Sequence, residues 1–158
     1  MKKSIALLAA LIGGLTMAWS QNIENIKTMM MLGQLDKAKT EFDKAAANSK
    51  FMAKPEAYLL KTAIYAGLSM TDQNKNSPNG SLLAAAADSA FEKYRSLEPG
   101  MAKFGEETAY QNGPVNIYSY YYNMGLNDYN AKEWNNAIPK LQKALTYSDL
   151  LIEKKILS

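Results

Sequence analysis

Apolar residues recur at every third or fourth position along most of this chain, and that spacing constrains the fold more than any other feature. Leu35, Ala38, Phe42, Ala45 and Ala46 form one such stripe. Leu83, Ala87, Phe91, Tyr94 and Leu97 form a second, and Trp134, Ala137, Ile138, Leu141, Ala144 and Leu145 a third. Spacings of three and four return a side chain to the same side of an α-helix, so each stripe marks a helix with one face turned to a core. The period-two alternation of half-buried strands is missing, and the sequence predicts an all-α fold.

Turn-forming residues divide the helices. Gly33-Gln34 separates a first helix, about residues 22–32, from a second, about 35–48. Pro55 suits the first turn of a third, where its missing N–H is not needed, and that helix runs to about residue 70. The polar stretch 71–80, TDQNKNSPNG, reads as a loop, with Ser81 placed to cap a fourth helix that ends near Pro99-Gly100. Gly113-Pro114 opens a fifth helix to about residue 130, and Lys132-Glu133 turns the chain into a sixth that ends near Ser148. Residues 99–113 hold either a short helix around 106–110 or an ordered loop.

The first twenty residues read as a cleavable export signal. Lys2 and Lys3 precede an apolar region over 5–15, and Ala18-Trp19-Ser20 supplies the small-x-small pattern before Gln21. The apolar stretch 5–19 is 15 residues, short of the roughly 20 that a spanning helix needs. Removing residues 1–20 leaves a single helical domain, 21–158, and lowers the net charge from +3 to +1. With no Cys there is no lipid-modified residue at the cleavage site, so no stable membrane insertion is expected after cleavage. The protein is expected in the periplasm of a Gram-negative-type cell or outside the cell, held together by packing alone.

Missing residue types exclude much chemistry. There is no Cys and no His, hence no thiol nucleophile, imidazole base, disulfide or zinc site of nitrogen and sulfur ligands. Nucleophile and phosphate-loop motifs such as G-x-S-x-G and S-x-x-K are absent. The stretch 72–76 carries one carboxylate and lacks the glycine and distal Glu of a calcium loop. Glu106 and Glu107 are adjacent, so on a helix they point about 100° apart and read as a solvated face. Lys37 and Glu41 read as a surface pair. A single arginine, Arg95, and a small net charge argue against a nucleic-acid partner. No metal and no cofactor is expected.

Self-comparison finds a repeat. Ala38-x3-Phe42-x2-Ala45, Ala87-x3-Phe91-x2-Tyr94 and Ala137-x3-Leu141-x2-Ala144 share one small-large-medium pattern at intervals of 49 and 50 residues. With Gly125 twelve residues before Ala137, Trp134 opening the last helix and Pro99 closing the middle copy, the chain resembles the tetratricopeptide repeat (TPR) family. The interval exceeds that family's unit of about 34 residues, and the segments 71–80 and 99–113 are candidates for the added length. The resemblance implies antiparallel helical hairpins stacked as a short solenoid with a concave binding face. A final apolar run, Leu150, Leu151, Ile152, Ile156 and Leu157, reads as a cap folding back on the sixth helix or as a chain that continues, and the second reading is favoured.

The tyrosines are the most unusual local feature. Tyr118, Tyr120, Tyr121, Tyr122 and Tyr129 crowd one helix, and three consecutive positions cannot all face a core. The cluster as a whole reads as packing between helices. The resemblance implies that, with Gly125 as the eighth residue of a unit, the concave face carries Ser119, Tyr122, Leu126, Tyr129 and Asn130. Tyr118, Tyr121 and Met124 then pack between helices. Met29, Met30 and Met31 form a second adaptable apolar patch, of a kind that more often fills a core. The expectation is a non-catalytic scaffold for a protein or peptide partner. The alternatives are a helical module for glycans or small molecules, and a carboxylate-dependent helical hydrolase using Glu106 or Glu107.

Overall fold

The computed structural model describes residues 22–157, so the expected signal segment and Gln21 lie outside the described residues. Among the described residues there are helices and no strand: α1 over 22–31, α2 (Leu35–Ala46), α3 (Ser49–Met52), α4 (Pro55–Ser69), α5 (Pro78–Leu97), α6 (Ala102–Glu106), α7 (Thr108–Asn130) and α8 (Trp134–Glu153). The all-α expectation holds, and among the described residues no helix is long and apolar enough to cross a membrane. Helix α4 packs on α5 and α7 on α8; α4 and α7 lie against one another, and α2 lies against α4.

One turn recurs at three helix ends. After α1, the Gly33 N–H donates to Met30 O at 3.0 Å and the Gln34 N–H to Met29 O at 2.9 Å. After α7, the Lys132 N–H donates to Tyr129 O at 3.0 Å and the Glu133 N–H to Asp128 O at 2.8 Å. After α8, the Lys155 and Ile156 N–H groups reach Ile152 O and Leu151 O at 2.9 and 2.8 Å. This is the paired closure of a Schellman turn, which needs a left-handed residue just past the helix. Gly33, Lys132 and Lys155 supply it, with φ of 70°, 63° and 57°. Gly33 and Lys132 occupy equivalent places in the first and last copies of the sequence repeat.

Helix α4 is the centre of the core. Ala57, Leu59, Leu60, Ala63, Ile64, Ala66 and Leu68 are all buried, so it is apolar on every side rather than along a stripe. Its buried hydroxyls are satisfied locally, Thr62 donating to Tyr58 O at 2.7 Å and Ser69 to Ala66 O at 2.7 Å. A Cβ on Gly113 of α7 would sit 3.1 Å from the backbone N and Cα of Ala63, which measures how closely α7 crosses α4. Leu141 of α8 comes equally close to Gly125, 2.7 Å from where a Cβ would stand. The repeat alanines Ala38, Ala87 and Ala137 are all buried.

Several boundaries differ from the sequence reading. Ser77, not Ser81, caps α5, accepting from the Gly80 N–H at 3.2 Å with Pro78 at the first helical position, where proline is well tolerated. Ser81 instead shares a 2.9 Å hydrogen bond with the Tyr120 hydroxyl. Helix α7 begins at Thr108, so Pro114 lies inside it. The extra turns are anchored by Tyr110, fully buried, whose hydroxyl donates to Glu56 at 2.6 Å. Residues 99–107 are also helical in part, because α6 drives Phe104 into the core, 5.4 Å from Phe91. Helix α2 stops at Ala46, and α3 follows with Phe51 edge-on to Phe42 at 5.8 Å. Glu41 pairs with Lys44 at 2.7 Å rather than with Lys37. Helix α8 continues to Glu153 because Leu151 is fully buried; Leu150, Ile156 and Leu157 also pack on the core, whereas Ile152 is exposed.

The left-handed turns predict opposite signs for two substitutions. A side chain in this conformation costs about 1 kcal/mol relative to glycine, so Lys132→Gly should raise the urea midpoint followed by circular dichroism. Gly33→Ala should lower it by a similar amount, since nothing lies within 4 Å of the added carbon and only the backbone penalty acts. A midpoint unmoved by both would contradict this account of the turn.

Candidate functional site

Helix α7 carries exposed residues along its length, among them Asn112, Tyr122, Asn123, Asn127, Tyr129 and Asn130. At 1.5 Å per residue its 23 residues span roughly 34 Å. The three consecutive tyrosines separate as helical geometry requires. Tyr120 is buried on Ser81, and Tyr121 is half-buried, edge-on to Tyr120 at 5.7 Å. Tyr122 is 42% exposed and stacks on Tyr118 with centroids 5.8 Å apart and planes 23° apart.

Ser119, Tyr122, Leu126, Tyr129 and Asn130 fall within an arc of about 100° on one side of α7. Tyr122, Tyr129 and Asn130 are open to solvent, and Ser119 and Leu126 are half-buried. The Ser119 hydroxyl is already engaged, donating to Val115 O at 2.9 Å. Tyr129 packs edge-on against Trp134, the first residue of α8, with centroids 5.1 Å apart. Tyr118 and Tyr121 pack against the core, as expected.

The same face carries a feature that the sequence reading missed. Asn112, Asn116, Asn123 and Asn127 continue the line of Ser119 and Asn130, because intervals of three, four and seven keep them on one side. Extending α7 back to Thr108 puts the first two beside α1 and α4. There they wall a groove of about 280 Å³ with Met30, Met31, Gly33 and Leu35 on the other side and Ala63 and Gly67 beneath. Met31 and the neighbouring Leu32 are strongly exposed. The methionine patch and the α7 face are therefore parts of one surface. The seven-residue spacing of Asn116, Asn123 and Asn130 was the signal available in the sequence.

Charges near this groove are paired. Lys27 of α1 holds Glu24 at 2.8 Å and Glu107, at the start of α7, at 2.7 Å. Burial alone would lower the Lys27 pKa, but hydrogen bonds and charge from Glu107 and Glu24 outweigh it and hold the ammonium above its ordinary value. Glu56 accepts from Tyr110 and lies 3.7 Å from Lys103. Of the two adjacent acids, Glu107 is thus bound to Lys27, and Glu106 is exposed at the end of α6. A second polar cluster joins α5 to α8, where Asp88 accepts from Lys143 at 2.8 Å and from Tyr147 at 2.7 Å. Among the described residues, no group of three or more acidic side chains is arranged to hold a metal ion.

No family model, curated protein or solved structure matches the chain.

The phenols predict an alkaline limit to stability. Burial, with the charge of Asp88 and of Tyr120, pushes Tyr121 up to about 12 from an ordinary 10. Burial pushes Tyr94 to about 12 as well, against the lowering effect of the Phe104 N–H that it accepts. The folded state keeps both protons where the unfolded chain releases them, so this contribution is complete below pH 10 and is lost as pH rises towards 12. The urea midpoint should fall over that range. Tyr94→Phe should make the fall shallower, and an unchanged slope would show that Tyr94 does not contribute.

Proposed function

We propose that this chain is an exported, non-catalytic scaffold of stacked TPR-like hairpins that binds a protein or peptide segment along the solvent face of α7. The observation that carries the reading is the groove of about 280 Å³ between α1, α4 and α7, whose wall residues Asn112 and Asn116 lie in line with the exposed residues further along α7. Its amides at Asn112 and Asn116 can each donate and accept, which suits a peptide backbone, while Met30 and Met31 adapt to varied side chains. Further along, Tyr122 and Tyr129 offer large surfaces with few rotors. At about 3.3 Å per residue an extended segment of roughly ten residues would span the helix.

Stacked hairpins are supported by three features. They are the pairing of α4 with α5 and of α7 with α8, the side-by-side packing of α4 and α7, and the equivalent turns at Gly33 and Lys132. Export rests on the sequence signal at residues 1–20. The exposed rings of Tyr122, Tyr129 and Trp134 would also suit a sugar face, so glycans are the competing ligands. A hydrolase using Glu106 or Glu107 has less behind it, given the commitment of Glu107 to Lys27.

Peptides selected from a displayed library on the purified protein test the reading. Asn112→Ala with Asn116→Ala, and separately Tyr122→Ala with Tyr129→Ala, should each weaken the selected peptides by about tenfold or more in fluorescence anisotropy. Circular dichroism should be unchanged. Peptides that bind both double variants as tightly as the parent, or a glycan array that yields ligands where the peptide library yields none, would overturn it.

A further inference from the structure

We propose that two copies of this chain pair through α8, antiparallel, along an apolar seam on its outer edge. Inward-facing sides of α8 are occupied: Ala137 and Ala144 are buried, and Lys143 and Tyr147 bind Asp88 of α5. Leu141 is half-buried at the boundary, lying over Gly125 of α7 with part of its side chain left on the outer edge. With Tyr129 against the Trp134 ring at one end, the outer edge is only partly covered. There Trp134 is 50% exposed, Ile138 54%, Leu145 61% and Ile152 54%.

The spacing along this edge suits a second helix. Ile138, Leu145 and Ile152 are seven residues apart, and Trp134, Leu141 and Ser148 interleave with them at four and three. That is the 3.5-residue period of a coiled-coil seam, with Ile at two of the three a positions and no charged residue from Trp134 to Ile152 along it. The repeat gives an independent comparison. The residues equivalent to Ile138 in the two earlier copies are Lys39 and Asp88, and those equivalent to Leu145 are Ala46 and Arg95. Asp88 meets the following hairpin through Lys143 and Tyr147, and Lys39 lies over the Tyr65 ring of α4. Only the last copy is bulky and apolar at both places.

A second copy fits this edge. A two-fold axis near residue 143 sets Leu141 against Leu145 of the other copy, Trp134 against Ile152 and Ile138 against Ser148. On the open flank, Asn135 then faces Asp149, and Gln142 faces itself, so no like charges meet. Lys140 and Lys143 are turned away onto Asp128 and Asp88 of their own chain. Four large apolar side chains at half exposure or more make a small seam, near the low end of the roughly 600–1,000 Å² that each partner contributes to a specific interface. A dimer forming at micromolar concentration is the expected result.

Sedimentation equilibrium of the purified protein should show a mass rising to twice that of the chain across the micromolar range. Ile138→Glu with Leu145→Glu should give a monomer with unaltered helix content. The chain has no cysteine of its own, so single introduced thiols report the geometry. Gln142→Cys should crosslink to itself with a short bismaleimide. Asn136→Cys, about 20 Å from its own copy across an antiparallel seam, should not. A parent that stays monomeric, a dimer that survives the double glutamate variant, or crosslinking at Asn136→Cys in preference to Gln142→Cys would each overturn the proposal.

Discussion

Everything that positions the α7 surface depends on how closely α7 can approach α4. The crossing is made at Gly113, where a single added carbon would stand 2.8 Å from the Thr62 methyl and 3.1 Å from the backbone of Ala63. Small residues on both helices let backbones nearly touch, and the buried stretch around them, from Ala57 to Leu68, gains dispersion contacts on every side. Because the two helices are so near, the groove above them is floored by the methyl of Ala63 and the bare backbone of Gly67. Larger residues at the crossing would move α7, and with it Asn112 and Asn116, away from Met30 and Met31. Packing and surface chemistry are therefore one constraint here.

The approach also demands strict polar satisfaction. Tyrosine hydroxyls reach across helices to do this: Tyr110 to Glu56, Tyr120 to Ser81, Tyr147 to Asp88, and Tyr94 to the Phe104 N–H. Among the described residues no buried side-chain nitrogen or oxygen lacks a hydrogen-bond partner. A chain without Cys has no disulfide to fix its helices, and these cross-helix phenols take part of that role by giving each contact a defined register. This explains why a tyrosine-rich helix can be mostly structural while still leaving Tyr122 and Tyr129 at the surface.

Legibility in the sequence followed periodicity. Helices with one apolar face, α2, α5 and α8, announce themselves by spacing, and the alanines of the repeat are buried where that spacing puts them. The α8 stripe is broader than its core contact, however, and Trp134, Ile138 and Leu145, expected to face the core, are exposed. Helix α4 is harder to read because it has no polar face to contrast with its apolar one. Pro114 was misread for a local reason: proline is favoured in a first helical turn, but the anchoring of Tyr110 by Glu56, a contact 54 residues away in sequence, carries the helix back past it. That single misreading hid Asn112, and with it the groove. The set Ser119, Tyr122, Leu126, Tyr129 and Asn130 follows from the TPR resemblance, and helical geometry puts those residues on one side of α7. The groove was not legible, since Met30, Ala63 and Asn116 come from three separate helices.

The groove's electrical neutrality bears on what it could select. Lys27, Glu107, Glu56 and Lys103 lie near it but are bound to one another, and the lining itself is Met, Leu, Ala, Gly and Asn. A ligand there would gain little from long-range attraction, which steers encounter and weakens with salt. Discrimination would rest instead on amides that are left unpaired by a ligand with the wrong hydrogen-bonding pattern, a penalty of about 1–3 kcal/mol for each desolvated group. Methionine beside the amides adapts its shape at low cost. On the proposed function, such a surface would read the backbone strictly and the side chains loosely, and would suit a scaffold that accepts a class of segments rather than a single sequence.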